Sequence, residues 1–232
     1  GILVLASIIA IAVFGFQPGI DFAGGTMWQV RLTTNDQLLT TNEIRDFFES
    51  DLGIKNVMIF PAENNNGFLI RFGHIPEEQH QNYLSALKNK FGEFEELRFE
   101  GIGPTIGKEL KNKAVWAIIM VMLGISLYIA FAFRKVSYPI KSWKYGIITL
   151  ITLFHDVIIP AGLLAVLGRR LGIEVDTNFV VALLVVMGFS VHDTIVVFDR
   201  IRENILLQKT HLDLPVIINN SVNQTFVRSI NT

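Results

Sequence analysis

Ionisable side chains stand inside two of the apolar stretches of this chain. His155 and Asp156 lie within one stretch, and Ser190 and Asp193 lie within the next. Ser190 and Asp193 are three residues apart, so they share one face of a helix. A carboxylate inside a bilayer costs several kcal/mol unless it is protonated, paired or hydrated. We therefore expect these four residues to take part in ion coupling. For His155 and Asp156 the alternative is a hydrogen bond to a neighbouring helix.

Asp193 is the strongest of these candidates. It lies about five residues, or roughly 8 Å, inside the end of its apolar stretch, too deep for a short carboxylate to reach water easily. Asp199 and residues 200–203 lie beyond that end, where charged side chains usually anchor a helix at the membrane interface. Arg228 lies where a further helix could begin. It is the candidate counter-charge for Asp193, and the alternative is an exposed surface arginine.

The composition is that of a membrane protein. Hydrophobic residues make up 50% of the 232, charged residues make up 18%, and the mean hydropathy is +0.43. Soluble domains rarely carry such an excess of apolar residues. The absence of cysteine excludes disulfides and thiol chemistry. The five histidines do not have the spacing of a zinc site, and we expect neither a metal nor a nucleic-acid partner.

Four apolar stretches are expected to be membrane helices, because backbone groups in lipid must be satisfied internally. Residues 1–16 are short for a span, and we interpret them as a clipped first transmembrane helix; a signal peptide is the alternative. Residues 113–133, 146–168 and 179–198 have the length that crosses a bilayer core. Residues 224–232 would start a fifth helix. Both ends of the chain are expected to be truncated relative to the native protein.

The basic residues predict the orientation in the membrane. The loop 134–145 carries four basic residues and no acid, whereas the loop 169–178 carries two arginines balanced by two acids. By the positive-inside rule, the first loop and the segment 199–223 are cytoplasmic. The short loop 169–178 and the large insert, residues 17–112, are then expected to be extracytoplasmic.

The insert has the pattern of a small α+β domain. Strands are expected at residues 26–32, 56–60, 68–72 and 95–99, and helices at residues 42–52 and 76–91. A capping box of Thr40 and Glu43 starts the first helix, and turn residues at 63–67 join the middle strands. The order β-α-β-β-α-β is the ferredoxin-like split motif. Since the domain has no visible catalytic cluster, we expect its role to be contact and movement.

Two glycine-rich segments flank the insert, and we expect both to be hinges. Glycine permits a tight turn or a close backbone approach, and for the first segment an ordinary turn is the alternative. The second segment superficially resembles a phosphate loop, but its glycine spacing fails and Glu109 replaces the required Ser or Thr. We therefore reject nucleotide binding. The motif residues are Asp21, Phe22, Gly24 and Gly25 in the first segment and Gly103, Pro104 and Gly107 in the second.

These segments together resemble the SecF family, the smaller subunits of the SecD–SecF accessory complex of bacterial protein export. GIDFAGGT resembles the family's motif after the first helix, GIGPTIGKEL the segment leading into its second, and LFHDV its third-helix pair. GFSVHDTIVVFDRIREN is similar to the family's most diagnostic signature, and VNQTFVRSINT to the start of its fifth helix. His192 stands where family members often have Asn. The resemblance covers nearly the whole chain.

The resemblance implies a polytopic α-helical membrane fold of the RND type with an extracytoplasmic ferredoxin-like domain. Because the family is built with six helices, a fifth and a sixth would follow Thr232. By the same resemblance, Asp193 is the membrane carboxylate needed for ion coupling and Arg228 is its partner. The coupling ion would be H⁺ or Na⁺, without any other cofactor.

The implied function is to use the proton or sodium motive force, together with SecD, to promote preprotein translocation across the bacterial cytoplasmic membrane. The implied partners are SecD, the SecYEG translocon, a YajC-like accessory subunit, the translocating preprotein and the lipid bilayer. Such a subunit is not an enzyme.

Two other functions remain as alternatives. One is a structural scaffold subunit of a membrane complex, for which Asp193→Asn would be silent. The other is an intramembrane aspartyl protease, since Asp156 and Asp193 are aspartates on adjacent membrane helices. The residues around both aspartates lack the Tyr-Asp and Gly-x-Gly-Asp patterns of that class of protease.

Overall fold

The structure is a computed structural model that describes residues 1–33, 39–62, 67–135, 140–207 and 213–231. Its internal contacts divide the chain into two units. Gly1–Gln17 and Ala114–Thr232 form the first, which we name the helical unit. Pro18–Lys113 form the second, which we name the sheet domain.

Short strands and helices make up the middle of the chain, and long apolar helices follow them. In chain order the elements are α1 (Ile2–Phe14), α2 (Ile20–Ala23), β1 (Gly25–Leu32), α3 (Thr41–Asp46), β2 (Met58–Ala62), β3 (Gly67–Phe72), α4 (Glu77–Phe91), β4 (Phe94–Ile102), α5 (Pro104–Ala132), α6 (Ser142–Leu171), α7 (Thr177–Leu207) and α8 (Leu214–Asn231). A π-helical turn, Phe47–Asp51, continues α3, and a 3₁₀ turn, Phe133–Lys135, follows α5.

The sheet domain is a four-stranded antiparallel sheet in the order β2-β3-β1-β4. This order, with one helix after β1 and another after β3, confirms the ferredoxin-like prediction. The inward face of β1 is fully buried at Trp28 and Val30, and that of β3 at Ile70. Phe48 and Leu87 cover this face from the helical side and are also fully buried. Each such side chain contributes about 1.5–3 kcal/mol by leaving water.

Two of the predicted strand boundaries differ from the structure for identifiable reasons. The second strand is Met58–Ala62 rather than residues 56–60, because Asn56 has a left-handed backbone with φ 60°. The last strand, Phe94–Ile102, is longer than predicted because it pairs along the whole of β1, from Gly25 opposite Ile102 to Leu32 opposite Phe94. The predicted turn at residues 63–67 falls largely on 63–66, which lie outside the described residues.

The predicted capping box at the start of α3 is confirmed. The Glu43 backbone N–H donates to Thr40 Oγ1 at 3.3 Å, and the Thr40 backbone N–H donates to Glu43 Oε2 at 2.8 Å. Hydrogen bonds from the Thr40 backbone and then from its side chain lower the pKa of Glu43. The carboxylate therefore supports this helix start above its unfolded pKa, and the support is lost as the pH falls through its lowered value.

Three described helices, α5, α6 and α7, are long and apolar enough to cross a membrane. They have 29, 30 and 31 residues, whereas a bilayer core needs about 20. The expectation of a membrane protein is thereby confirmed. Helix α1 is apolar but shorter, with 13 residues. Helix α8 begins at Leu214, ten residues before the start at 224 that the sequence suggested.

Helix α1 packs closely against α6 in the helical unit. A Cβ built on Gly162 of α6 would lie 2.3 Å from the Cβ and 2.5 Å from the Cα of Ser7 on α1. Ser7 is only 8% exposed. Small residues allow membrane helices to approach in this way, so the identity of Gly162 sets the distance between α1 and α6.

Gly162→Ala is expected to weaken this contact, because the added methyl group must displace the backbone of α1. Overpacking of this kind costs about 1–3 kcal/mol. The measurement is the free energy of unfolding of the full chain in mixed detergent. Gly188→Ala on α7 is the matched control, since a Cβ there meets no atom within 4 Å. Equal destabilisation by both substitutions would contradict the packing argument.

Candidate functional site

Two predicted site residues on different helices are hydrogen-bonded in the structure. Ser190 Oγ on α7 donates to Asp156 Oδ2 on α6, at 2.5 Å. His155 Nδ1 lies 2.9 Å from the other carboxylate oxygen, Asp156 Oδ1. Thr194 Oγ1 donates to the Ser190 carbonyl at 2.9 Å, one turn further along α7. Asp156 and Ser190, 34 positions apart in the sequence, are thus brought together so that a carboxylate and a hydroxyl meet between two membrane-length helices.

Asp193 lies beside this pair. An open cavity of about 440 Å³ is lined by Asp156, Ser190 and Asp193, together with apolar residues. We name it the α6–α7 cavity; its other lining residues are Ile159, Pro160, Val186 and Phe189. The spacing of Ser190 and Asp193 on one helix face accounts for their common wall. Two carboxylates and a hydroxyl in an otherwise apolar cavity can bind a proton or a small hard cation.

Arg228 lies in a different cavity. It is an exposed residue of α8, and it lines an open space of about 490 Å³ with His192 and Asp199 of α7. We name this the α7–α8 cavity; its other lining residues are Phe133, Ile195, Val196, Arg200, Glu203, Gln224 and Thr225. The structure thus groups Arg228 with His192 and groups Asp193 with Asp156. The pairing of Arg228 with Asp193 stays a prediction.

Adjacent residues point into the two cavities for a simple geometric reason. Successive side chains on an α-helix are about 100° apart around its axis, since one turn takes 3.6 residues. His192 therefore faces α8 while Asp193 faces α6. Although His192 and Asp193 are adjacent in the sequence, they line different cavities.

The structure adds polar contacts between α7 and α8, where the sequence reasoning assigned residues 200–203 to interface anchoring and gave no role to Asn204, Ser221 or Gln224. Arg200 Nε donates to Gln224 Oε1 at 2.6 Å, and Asn204 Nδ2 donates to Ser221 Oγ at 2.8 Å. These bonds hold α7 to α8 beside Asp199. A signal for this face exists in the sequence, because the spacing of His192, Val196, Asp199 and Glu203 places them in one stripe along a helix.

Stacked aromatic rings hold α6 and α7 at the end that carries these polar residues. Tyr145 of α6 stacks on Phe133 with centroids 5.1 Å apart, and Phe198 of α7 meets Tyr145 edge-on at 5.0 Å. All three rings are buried. Burial of these rings fixes the spacing of the helices that carry Asp156 and Asp193.

The two glycine-rich motifs pack against one another within the sheet domain. A Cβ on Gly24 would lie 2.8 Å from Pro104 Cα, and one on Gly107 would lie 2.9 Å from the Gly24 backbone nitrogen. Gly24 and Gly25 also have positive φ, at 76° and 139°. The two motifs form one close-packed backbone junction, which requires glycine at Gly24 and Gly107. Their role as hinges stays a prediction.

The remaining motif residues surround this junction in different ways. Asp21 and Phe22 lie in the short helix α2, and the Phe22 carbonyl carbon is 3.2 Å from the position of a Cβ on Gly107. Gly103 is not closely packed, since a Cβ built there would meet nothing within 4 Å. Among the described residues, no group of three or more His, Asp or Glu side chains is placed to hold a metal ion.

Two protein-family models match the chain. Residues 82–232 match the family described as protein export membrane protein SecD/SecF, C-terminal. Residues 9–36 match the SecD/SecF GG motif, and this range contains Gly24 and Gly25. The first match covers all of α5 to α8, and therefore both cavities.

Curated relatives are similar along the whole chain. The protein translocase subunit SecF of Thermobaculum terrenum is 40% identical, over 100% of this chain and 74% of that relative. The SecF subunit of Anaerolinea thermophila is 36% identical, over 99% of this chain and 73% of that relative. The protein translocase subunit SecDF of Bacillus subtilis is 34% identical, over 98% of this chain and 29% of that longer protein.

Solved structures show the same fold. The crystal structure of SecDF, a translocon-associated membrane protein from Thermus thermophilus, matches with a TM-score of 0.76 and 31% identity. The match covers 99% of this chain and 29% of the SecDF chain. SecDF in a super-membrane-facing form matches with a TM-score of 0.59. The chain therefore belongs to the SecD/SecF family of protein-export membrane proteins, in its SecF branch.

Proposed function

We propose that this chain, together with SecD, uses a proton or sodium motive force to promote preprotein translocation across the bacterial cytoplasmic membrane. The observation that carries the proposal is the α6–α7 cavity, where Asp156, Ser190 and Asp193 meet inside membrane-length helices. Polar groups at that depth are costly and usually mark an ion pathway. Because the chain belongs to a protein-export family, we propose that the process driven by such an ion is protein export.

Asp193 is the proposed coupling carboxylate, alternating between an ionised and a protonated or ion-bound state. Asp156 differs from it, because Asp156 already accepts the Ser190 hydroxyl at 2.5 Å and faces the His155 ring. This bond positions Asp156 and leaves Asp193 as the carboxylate that gains and loses the ion. One charge moving across 100 mV provides about 2.3 kcal/mol, enough to bias a two-state helix rearrangement roughly fiftyfold.

The proposed partner inside the membrane is SecD. Relatives named SecDF in Bacillus subtilis and Brucella abortus match this chain along only 29% of their length, so a single longer protein contains the matching region. For this chain, we propose that SecD is a separate subunit that binds it in the membrane. The SecYEG translocon, a YajC-like subunit and the preprotein are further proposed partners.

The proposed orientation places the sheet domain on the extracytoplasmic side of the cytoplasmic membrane. It follows from the positive-inside rule, since the loop 134–145 has four basic residues against two for the loop 169–178. On that side the sheet domain would hold or pull emerging preprotein. We propose no chemical reaction and no cofactor other than the coupling ion.

The test is preprotein translocation into membrane vesicles that contain this chain, SecD and the translocon. Stimulation by the chain is expected to disappear when an ionophore collapses the ion gradient while ATP stays constant. Assays in matched sodium and sodium-free media across pH then identify the ion. Stimulation that is the same with and without a gradient would contradict the proposal and favour the scaffold alternative.

A further inference from the structure

The sheet domain contains a buried histidine that the proposed function does not use. His80 of α4 is 2% exposed. Its ring stacks on Phe99 of β4, with centroids 3.6 Å apart and planes 16° apart. It also meets Trp28 of β1 edge-on at 5.0 Å. An imidazole buried among aromatic rings is fixed in position, so its nitrogens can meet only the groups that the fold presents to them.

Each ring nitrogen of His80 meets a carboxylate. His80 Nε2 lies 2.6 Å from Glu96 Oε2 on β4, and His80 Nδ1 lies 3.1 Å from Glu77 Oε1 at the start of α4. Trp28 Nε1 donates to the same Glu96 oxygen at 2.9 Å. Gln81 Nε2 donates to Glu77 Oε1 at 2.8 Å and lies 3.4 Å from His80 Nδ1. The ring is therefore held between two acids.

This arrangement distinguishes the two protonation states of the ring. A neutral imidazole has one N–H, so one of its nitrogens must present a lone pair to a carboxylate; the imidazolium donates to both. Within the described residues, the charged groups that face the ring are Glu77 from α4 itself and Glu96 from β4, while β1 presents the neutral indole of Trp28. The imidazolium can therefore donate to both carboxylates, whereas the neutral ring can donate to only one of them.

The exposed partner is held in its ionised form. Hydrogen bonds from Gln81 and then from His80 lower the pKa of Glu77. The Glu77 side chain is 68% exposed, whereas that of His80 is 3% exposed. Glu77 thus connects the buried ring to solvent and stays an acceptor across the range in which an imidazole titrates.

We propose that His80, Glu77 and Glu96 form a second proton-binding site, located in the sheet domain rather than among the membrane helices. A proton from solvent binds His80 Nδ1 and completes the bond to Glu77, while Nε2–H keeps its bond to Glu96. Protonation also strengthens the Nε2–H bond to Glu96, which joins α4 to β4, because donor and acceptor then both carry a charge. When the proton leaves Nδ1 for solvent at higher pH, the His80–Glu77 bond within α4 is lost and the bond between α4 and β4 weakens.

The biological consequence rests on the proposed orientation. If the sheet domain faces the outer side, its internal attachment tightens as that side becomes acidic. A domain that handles preprotein would then respond to the proton concentration that also drives the membrane carboxylate. The proton-binding site itself depends only on contacts inside the sheet domain.

Trp28 provides the readout, because an imidazolium beside an indole quenches indole fluorescence. The experiment uses the full chain in detergent with Trp116→Phe and Trp143→Phe, so that Trp28 is the remaining tryptophan. Between pH 5 and 9 its emission is expected to rise with pH in a one-proton transition, spanning about 2 pH units between 10% and 90% completion. His80→Gln removes the transition. His74→Gln, in the same domain, is the matched control and retains it.

Glu77→Gln keeps the test decisive if His80→Gln does not fold, because Glu77 is at the surface. Removing this carboxylate is expected to move the transition to lower pH. An unmoved transition in Glu77→Gln, a transition that persists in a folded His80→Gln, or no transition in the parent chain would each overturn the proposal. None of these measurements involves export, so a failure here is distinct from a failure of the proposed function.

Discussion

Asp193→Asn is expected to abolish the gradient-dependent part of export stimulation while leaving the fold and the association with SecD intact. Asparagine preserves the volume of the side chain, but it cannot carry the charge or exchange a proton. The roughly fiftyfold bias that one charge gains from 100 mV would therefore disappear. The measurement is preprotein translocation into vesicles with and without an imposed gradient, with co-purification of SecD as the assembly check.

Asp199→Asn is the matched control for this experiment. It makes the same chemical change on the same helix, but Asp199 lines the α7–α8 cavity whereas Asp193 lines the α6–α7 cavity. Gradient-dependent stimulation should survive in Asp199→Asn. Full stimulation by Asp193→Asn would remove this residue from the mechanism and support a scaffold role. An equal loss in both variants would contradict the assignment of coupling to Asp193.

Gly24→Ala is expected to destabilise the sheet domain by about 2–6 kcal/mol. A methyl group at φ 76° is strained, at a cost of about 1–3 kcal/mol, and here it would also lie 2.8 Å from Pro104 Cα. Pro104 Cα is a backbone atom and cannot rotate away, so overpacking adds about 1–3 kcal/mol. The measurement is denaturant unfolding followed by Trp28 fluorescence in the background without the other two tryptophans.

Gly103→Ala serves as the control within the same motif. It adds the same methyl group one residue before Pro104, where nothing lies within 4 Å. We expect a change within about 0.5 kcal/mol. If Gly103→Ala destabilises the domain as strongly as Gly24→Ala, the close approach of the two backbones is not the reason for the glycine.

The fold of the sheet domain was predictable because its signals are local. Alternation in β1, the capping box at Thr40 and the turn chemistry each act within a few residues. The full length of β4 was not predictable in this way, because residues 94 and 100–102 become strand only by pairing with β1. Similarly, the left-handed backbone of Asn56 is a single-residue conformation that no periodic pattern reveals.

The sequence indicated which residues to consider for the candidate site, but it did not indicate which of them would share a cavity. An aspartate in an apolar stretch is conspicuous in any sequence, and Asp156 and Asp193 both stand in such stretches. Which helix each side chain faces depends on how α6, α7 and α8 pack, and that is decided by long-range contacts such as Tyr145 on Phe198. The sequence therefore suggested Arg228 for Asp193, while the packing brought Asp156 and Ser190 to Asp193's cavity.

Helix α7 forms one wall of both cavities, with His192 on one side and Asp193 on the other. Because the two side chains are about 100° apart on a single rigid rod, a turn of that rod about its axis would carry one towards α8 as it carries the other away from α6. A single small rotation of α7, with no hinge in the helix, would thus change the side chains that line both cavities at once.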